Sequence, residues 1–419
     1  MSKYQTFSFD QYKFDESTKT LSFDYSIDEN LKFTEKYIFD LEIGKNLDHK
    51  ILDRACKIAF LITGVSYFKT YLPTEITYKN IEVDKNLADF LSKTYQRGLG
   101  EFFYVNNLDP NMQIHFPSNS PSPDVLRRTS SGALVGIGGG KDSIVSAEKL
   151  RNHNISTWSI RHNTEQLKPL IEKLNIKNYN VERKIDPKLS DGSLTNAYNG
   201  HVPLSAIFAS IGAVLAVLTD NRDVIVSNES SANEPTLTYR GVEINHQYSK
   251  SLEFEQDFQE ILRQNFGDSI RYFSYLRSLS ELQICEIFSE YFDKYSEVFS
   301  SCNKAFTQSS AKLFWCGECP KCAFIFLGLA NYIDEQKLLK LFGSKNLLLD
   351  PKLEQTYKML LGMDDSKPLE CVGTIDECRW AMNNLSEKYP ELVSKFEVKN
   401  QYSHNSKAEH AIPADYEPL

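Results

Sequence analysis

The stretch from Ala133 to Leu150 limits the possible folds more than any other part of the sequence. Ala133-Leu134-Val135-Gly136-Ile137 is a short apolar run that breaks into Gly138-Gly139-Gly140, and Lys141-Asp142-Ser143 then opens a segment with helical spacing, Ile144 to Leu150. A strand that turns through glycines straight into a helix is half of a βαβ unit, and such units build parallel sheets covered by helices on both faces. The following sequence continues the alternation. Ser156 to Ile160 and Tyr179 to Ile185 read as strands with a helix, Thr164 to Leu174, between them. Val202 to Leu218 reads as a long helix with Pro203 in its first turn, where a missing N–H costs nothing, and Asp223 to Ser227 as another buried strand. The expected fold class is therefore α/β, with a parallel-sheet domain over residues 128–300 and the glycine loop at the carboxyl end of a strand, where ligands bind in such sheets.

The flanking regions read differently. Residues 1–120 begin with short alternating runs such as Leu21-Ser22-Phe23-Asp24-Tyr25, followed by apolar residues at three- and four-residue intervals over Leu52 to Tyr71 and Leu87 to Tyr104, so a smaller α+β domain is expected there. Phe116 to Ser131 is rich in Ser and Pro and suits a linker. Residues 301–400 read as a helical region carrying a cysteine cluster, and 401–419 as a polar tail expected to be disordered. Net charge −9 over 419 residues argues against a broad nucleic-acid surface. No apolar run reaches the roughly 18 residues that span a bilayer, and the first residues lack the apolar stretch of a signal peptide, so the expectation is a cytoplasmic protein without membrane or nucleic-acid partners. Its eight cysteines are then expected as thiols or metal ligands.

Successive glycines let backbone N–H groups turn toward an anion, and the following helix adds its positive end at the same place. A phosphate is the expected guest. A Walker A loop would need Ser or Thr after the lysine, where Asp142 stands, and no G-x-G-x-x-G is present. The string GGGKDS resembles the SGGxDS signature of the PP-loop ATP pyrophosphatases, matching at Gly139, Gly140, Asp142 and Ser143 and departing at Gly138, where the family has Ser. That resemblance implies ATP and Mg2+ at Gly138, Gly139, Gly140, Lys141, Asp142 and Ser143, with cleavage between the α- and β-phosphates. Charge developing on the departing pyrophosphate is what preorganised N–H donors and a cation would stabilise.

Cys316, Cys319 and Cys322 stand at C-x2-C-x2-C spacing, and Cys302 precedes them by 14 positions. Four thiolates suffice for tetrahedral zinc; an iron–sulfur cluster, a redox pair and unmetallated buried cysteines are the alternatives. Queuosine-pathway nitrile synthases, which are PP-loop enzymes, carry a similar quartet for structural zinc. Cys56, Cys285, Cys371 and Cys378 lie apart and read as packing residues.

Beyond the loop, LITGVSYFKTYLP, RGLGEFFYVNNL, NGHVPLSAI, VSNESSANE, GVEINHQYSKSL, SCNKAF, WCGECPKCAF and KPLECVG together resemble the UDP-N-acetylmuramoyl-L-alanyl-L-glutamate epimerases, from about Phe7 to Gly373. The resemblance implies inversion of the terminal glutamate of UDP-MurNAc-L-Ala-L-Glu in peptidoglycan precursor synthesis, with ATP consumed to AMP and pyrophosphate. An α-proton beside a free carboxylate is too weakly acidic to remove, whereas adenylation neutralises the carboxylate and opens the way for a base and an acid on opposite faces. The candidates for those groups are His201, Glu229, Glu234 and His246, with Glu243 and Lys250 beside His246, and Arg161 and His162 at a strand end near the nucleotide. The rival readings are a PP-loop enzyme that adenylates a nucleobase or tRNA, and a regulatory protein that holds ATP without splitting it.

Overall fold

A computed structural model describes residues 4–44, 47–306, 310, 312–364 and 367–419. Nine strands form one sheet in the order β11-β8-β5-β6-β7-β3-β2-β1-β4. These are β1 (Thr6–Asp15), β2 (Thr20–Ile27), β3 (Leu31–Asp40), β4 (Glu75–Tyr78), β5 (Ala133–Gly136), β6 (Ile155–Arg161), β7 (Asn178–Lys184), β8 (Asp223–Val226) and β11 (Arg271–Ser274); β9 (Leu237–Tyr239) and β10 (Val242–Ile244) make a separate hairpin. From β11 to β7 every neighbouring pair is parallel. The α/β reading of the central region holds.

The sheet does not stop where the parallel part ends. β3 pairs antiparallel with β7, Lys36 opposite Lys184 through Asp40 opposite Asn180, so the N-terminal meander extends the sheet of the glycine loop. Alternation builds the meander: Leu21, Phe23 and Tyr25 of β2 are fully buried on one face, and Phe23 and Tyr25 pack on Phe60 of the helix His49–Thr63. Tyr25 stacks on Phe60 of that helix at 4.9 Å between ring centroids and donates to its carbonyl at 2.9 Å. Across the seam a buried ion pair, Arg183 of β7 to Glu35 of β3 at 2.7 Å, is completed by Tyr67 donating to Glu35 at 2.8 Å.

The helix His49–Thr63 starts on Asp48, whose carboxylate accepts from Lys50 and Ile51, and packs on the helix Leu204–Leu218, whose residues are nearly all buried. A helix apolar on all sides needs cover all round, and among the described residues no helix is long and apolar enough to cross a membrane. Beyond β11 the chain is helical, from Glu281–Ser289 to Pro390–Phe396, around a second core that also holds the helix after the glycine loop. Residues 401–419, expected as a disordered tail, form no helix or strand but lie against the body. Asp415 pairs with Arg271 at 2.9 Å and Arg222 at 2.7 Å, and Tyr416, almost buried, donates to Asp223 at 2.7 Å. Their polarity is used in ion pairs, which a reading of hydropathy alone counts only as solvation.

Candidate active site

The glycine loop leaves β5 at the carboxyl end of the parallel sheet and enters the helix Lys141–Lys149. Gly139 has φ +99, and a Cβ there would come within 3.0 Å of Leu167 and 3.1 Å of Phe306, so conformation and space both call for glycine. Gly138 differs. A Cβ at that position meets nothing within 4 Å among the described residues, so the Ser found there in PP-loop signatures would fit. Gly140 caps the helix with no side chain on its first N–H groups, and Ser143 Oγ donates back to the Gly140 carbonyl at 3.0 Å. The positive end of the helix is thus left for a ligand.

That end opens into a cleft of about 450 Å³. Gly138, Gly140, Asp142 and Ser143 line it on one side; Ile160, Leu204, Phe208 and Phe306 make an apolar wall; Lys250, Lys321 and Cys371 close another side. Three buried polar atoms among its lining residues have no partner among the described residues: Trp158 Nε1, Arg161 Nε and Ser301 Oγ. Buried donors are rarely left unsatisfied, so a guest rich in acceptors suits this cleft. Arg161 also bonds the Gly138 carbonyl and lies over Phe306 at 4.6 Å, tying the end of β6 to the loop.

Lys141 takes an unexpected direction. Its side chain is 1% exposed, turns away from the cleft, and pairs with Asp142 and with Glu281 at the start of a C-terminal helix. Burial works against its ammonium, yet Asp142 and Glu281 outweigh that and raise its pKa above the usual lysine value. Burial likewise pushes the Glu281 carboxyl up, but Lys141 and Lys321 more than reverse this and hold it at about 2. Lys321 reaches Glu281 at 3.5 Å and also bonds the Cys371 carbonyl. Sequence reasoning missed Glu281 and Lys321, because the partners lie 140 and 40 positions apart and no local pattern joins them.

The four candidate proton-transfer residues are absent from the lining of this cleft. Glu229 is buried with Ser231 Oγ at 3.3 Å, and burial followed by the charge of Glu281 raises its pKa. His246 Nδ1 meets Thr236 Oγ1 at 2.7 Å while its Nε2 is buried without a partner. Burial and then Lys250 lower it to about 3. His201 lies 3.4 Å from Glu101 Oε2 without hydrogen-bond geometry, and burial, Lys250 and Lys69 lower it to about 4. Glu101, which sequence reasoning did not single out, is raised to about 7 by burial. Glu234 is paired with Lys367. Lys250 thus acts electrically on both histidines and on Glu229, so these groups form one charged neighbourhood next to the cleft. Glu243 lines a different pocket beside the β9–β10 hairpin, and His162 Nδ1 is taken up by the Arg183 carbonyl at 2.8 Å.

The cysteine quartet converges. The Sγ atoms of Cys302, Cys316, Cys319 and Cys322 all lie within 4.8 Å of one another, with separations of 3.9, 3.7 and 3.5 Å for the pairs 302–319, 316–322 and 319–322. Sulfurs about 2.3 Å from one tetrahedral ion stand about 3.8 Å apart, so the four fit a single structural metal ion. Cys302 follows Ser300 and Ser301, whose backbone meets the glycine loop through Ser300 N–H to the Gly139 carbonyl at 3.0 Å, and Lys321 lies between Cys319 and Cys322. The cysteine quartet therefore joins two sides of the cleft.

Two family models cover most of the chain: the MurL N-terminal domain matches residues 1–275 and the MurL C-terminal domain residues 298–412. The chain belongs to the MurL family. Among MurL relatives, the UDP-N-acetyl-alpha-D-muramoyl-L-alanyl-L-glutamate epimerase of Salinispora tropica is 35% identical over 398 residues, 92% of this chain and 86% of its own length. The protein of the same name from Micromonospora sp. is 34% identical over 395 residues, 92% of this chain and 88% of the relative. That from Xanthomonas oryzae pv. oryzae is 37% identical over 344 residues, 80% and 75% of the two chains. The boundary between the two MurL domains falls after β11, so the first of them takes in the whole nine-stranded sheet, meander included.

Proposed function

We propose that this protein epimerises the terminal glutamate of UDP-MurNAc-L-Ala-L-Glu to the D form in peptidoglycan precursor synthesis, activating it as a glutamyl adenylate with release of AMP and pyrophosphate. The observation that carries the ATP-dependent part is the glycine loop: a helix start with no side-chain cap and a glycine at φ +99, beside a cleft in which three polar atoms of the wall have no partner among the described residues. The epimerase reading rests on the relatives, which are named for that activity and align over more than nine-tenths of this chain in two cases.

In this reading the Gly138, Gly140 and Ser143 backbone and the Ser143 hydroxyl hold the departing pyrophosphate, and the apolar wall of Ile160, Phe208 and Phe306 receives the adenine. Asp142 would hold Mg2+, which neutralises phosphate charge when bound. Lys141 keeps Asp142 oriented from behind, and Lys250 and Lys321 offer positive charge to a substrate carboxylate. Zinc is the ion proposed for the cysteine quartet, since a cluster of several irons spreads its four thiolates over different irons, whereas here all four sulfurs lie within 4.8 Å of one another.

The test is incubation of purified protein with ATP, Mg2+ and UDP-MurNAc-L-Ala-L-Glu, followed by assay of AMP, pyrophosphate and the chirality of the glutamate recovered. AMP with D-glutamate is expected. ADP as product refutes the PP-loop reading, and AMP without inversion at the α-carbon shifts the assignment to a ligase or a nucleobase-modifying enzyme.

A further inference from the structure

Inversion needs a side chain that accepts a proton and reaches the activated glutamate. Among the described residues lining the cleft, the ionisable groups are Asp142, Arg161, Lys250, Lys321, Tyr272 and Cys371. Asp142 is tied to Lys141 and lies in the first turn of the loop helix, where it is placed for a metal ion. Arg161 is lowered by burial only to about 10 and stays a cation. Burial pulls Lys250 and Lys321 down, but the negative groups around them prevail and raise both, so neither is a base at neutral pH. Burial raises the Tyr272 phenol. Cys371 is left.

The sulfur of Cys371 is held as a reactive group would be. Lys250 Nζ lies 3.0 Å from it, and Lys321 bonds its carbonyl, while the adjoining Glu370 accepts from the Lys321 N–H at 2.9 Å. On the other side Val372 is fully buried, and a Cβ at Gly373 would come within 2.8 Å of Phe324, so the backbone there is pressed against the helix Pro320–Leu329. Cys371 itself remains half-buried and lines the cleft, where Trp158 Nε1 has no partner among the described residues. A packing cysteine, as the sequence alone suggests, would have apolar neighbours instead of an ammonium.

We propose that Cys371 is a proton-transfer residue of the epimerase, exchanging the α-proton of the substrate glutamate on one face, with Lys250 as its positioning partner; this rests on the reading that the glutamate is activated in this cleft. The thiolate takes the proton as the C–H bond breaks, and the electron pair moves into the adenylate carbonyl as an enolate. Return of a proton to the opposite face completes inversion with no net redox change.

The experiment follows deuterium wash-in from D2O, with ATP and Mg2+, starting separately from the L-Glu and D-Glu forms of the substrate, for wild type, Cys371→Ala, Cys371→Ser and Lys250→Gln. Wild type is expected to exchange both forms only with ATP; if it releases no AMP or exchanges neither, the functional reading itself falls and this inference with it. Given wild-type exchange, Cys371→Ala is expected to lose exchange of one form by on the order of 100-fold or more while pyrophosphate release from that form persists and thermal unfolding is unchanged. Cys371→Ser keeps the shape and is expected to show the same one-sided loss. Lys250→Gln should slow exchange of that same form while pyrophosphate release from it persists, a split that a merely structural role would not produce. Equal exchange of both forms by Cys371→Ala, or parallel loss of exchange and pyrophosphate release from both, overturns the proposal. So does a glutamyl group trapped on Cys371 in wild type, which marks a thioester instead of proton transfer.

Discussion

Replacing Lys141 with Met separates two jobs that a lysine in a phosphate loop could have. The structure buries its ammonium between Asp142 and Glu281 and away from the cleft. Burial opposes the Glu281 carboxylate, but Lys141 and Lys321 more than reverse this and hold its pKa below the ordinary carboxylate range, so the ionised form contributes to stability at neutral pH. Removing one partner of a buried pair costs about 3–5 kcal/mol, because the other charge is left without compensation. Lys141→Met is therefore expected to lower stability at pH 7 by about 3 kcal/mol, the low end, since Lys321 still faces Glu281 at 3.5 Å. The folded carboxyl is depressed, so its contribution is complete above about pH 4.5 and is lost as pH falls toward 2. Wild type should lose stability through that window and the variant should lose much less. Removing both charges in Lys141→Met/Glu281→Leu should cost less than the sum of the single changes, by about 1–3 kcal/mol. Chemical denaturation followed by circular dichroism at pH 7 and at about pH 3, inside that window, with AMP release measured at pH 7 well below the unfolding temperature, gives both readings. Wild-type stability combined with complete loss of AMP release would refute the argument and return Lys141 to the phosphates.

The glycine loop makes a sharper contrast. Gly139→Ala is expected to reduce AMP release by on the order of 100-fold, because φ +99 and the contacts at 3.0 and 3.1 Å displace the backbone donors. Gly138→Ser should retain activity, since its Cβ has open space; equal loss in both variants would contradict this account. Purified protein is expected to carry one zinc per chain, and Cys319→Ser to lose it together with thermal stability. Iron with a visible absorption band, or no metal by elemental analysis, would exclude the zinc assignment.

Much of this protein was readable along the chain. The strand, glycine and helix succession from Ala133 to Leu150 implies a βα junction, because a short apolar run, a glycine break and a 3.6-residue period are local properties of the chain. The cysteine spacing implied a quartet for the same reason, and the four sulfurs do meet. What local patterns do not carry is which distant group answers a given charge. Lys141 reads as a phosphate ligand until Glu281 arrives from 140 positions away and draws it inward, and Cys371 reads as packing until Lys250, 121 positions earlier, is set beside its sulfur. The meander and the parallel strands read as separate units, yet one edge pairing, β3 on β7, makes them one sheet. Periodicity records which side of an element is apolar; the direction of a buried charge, and the neighbour of a sheet edge, are decided only when the whole chain closes and each buried ion must find its partner.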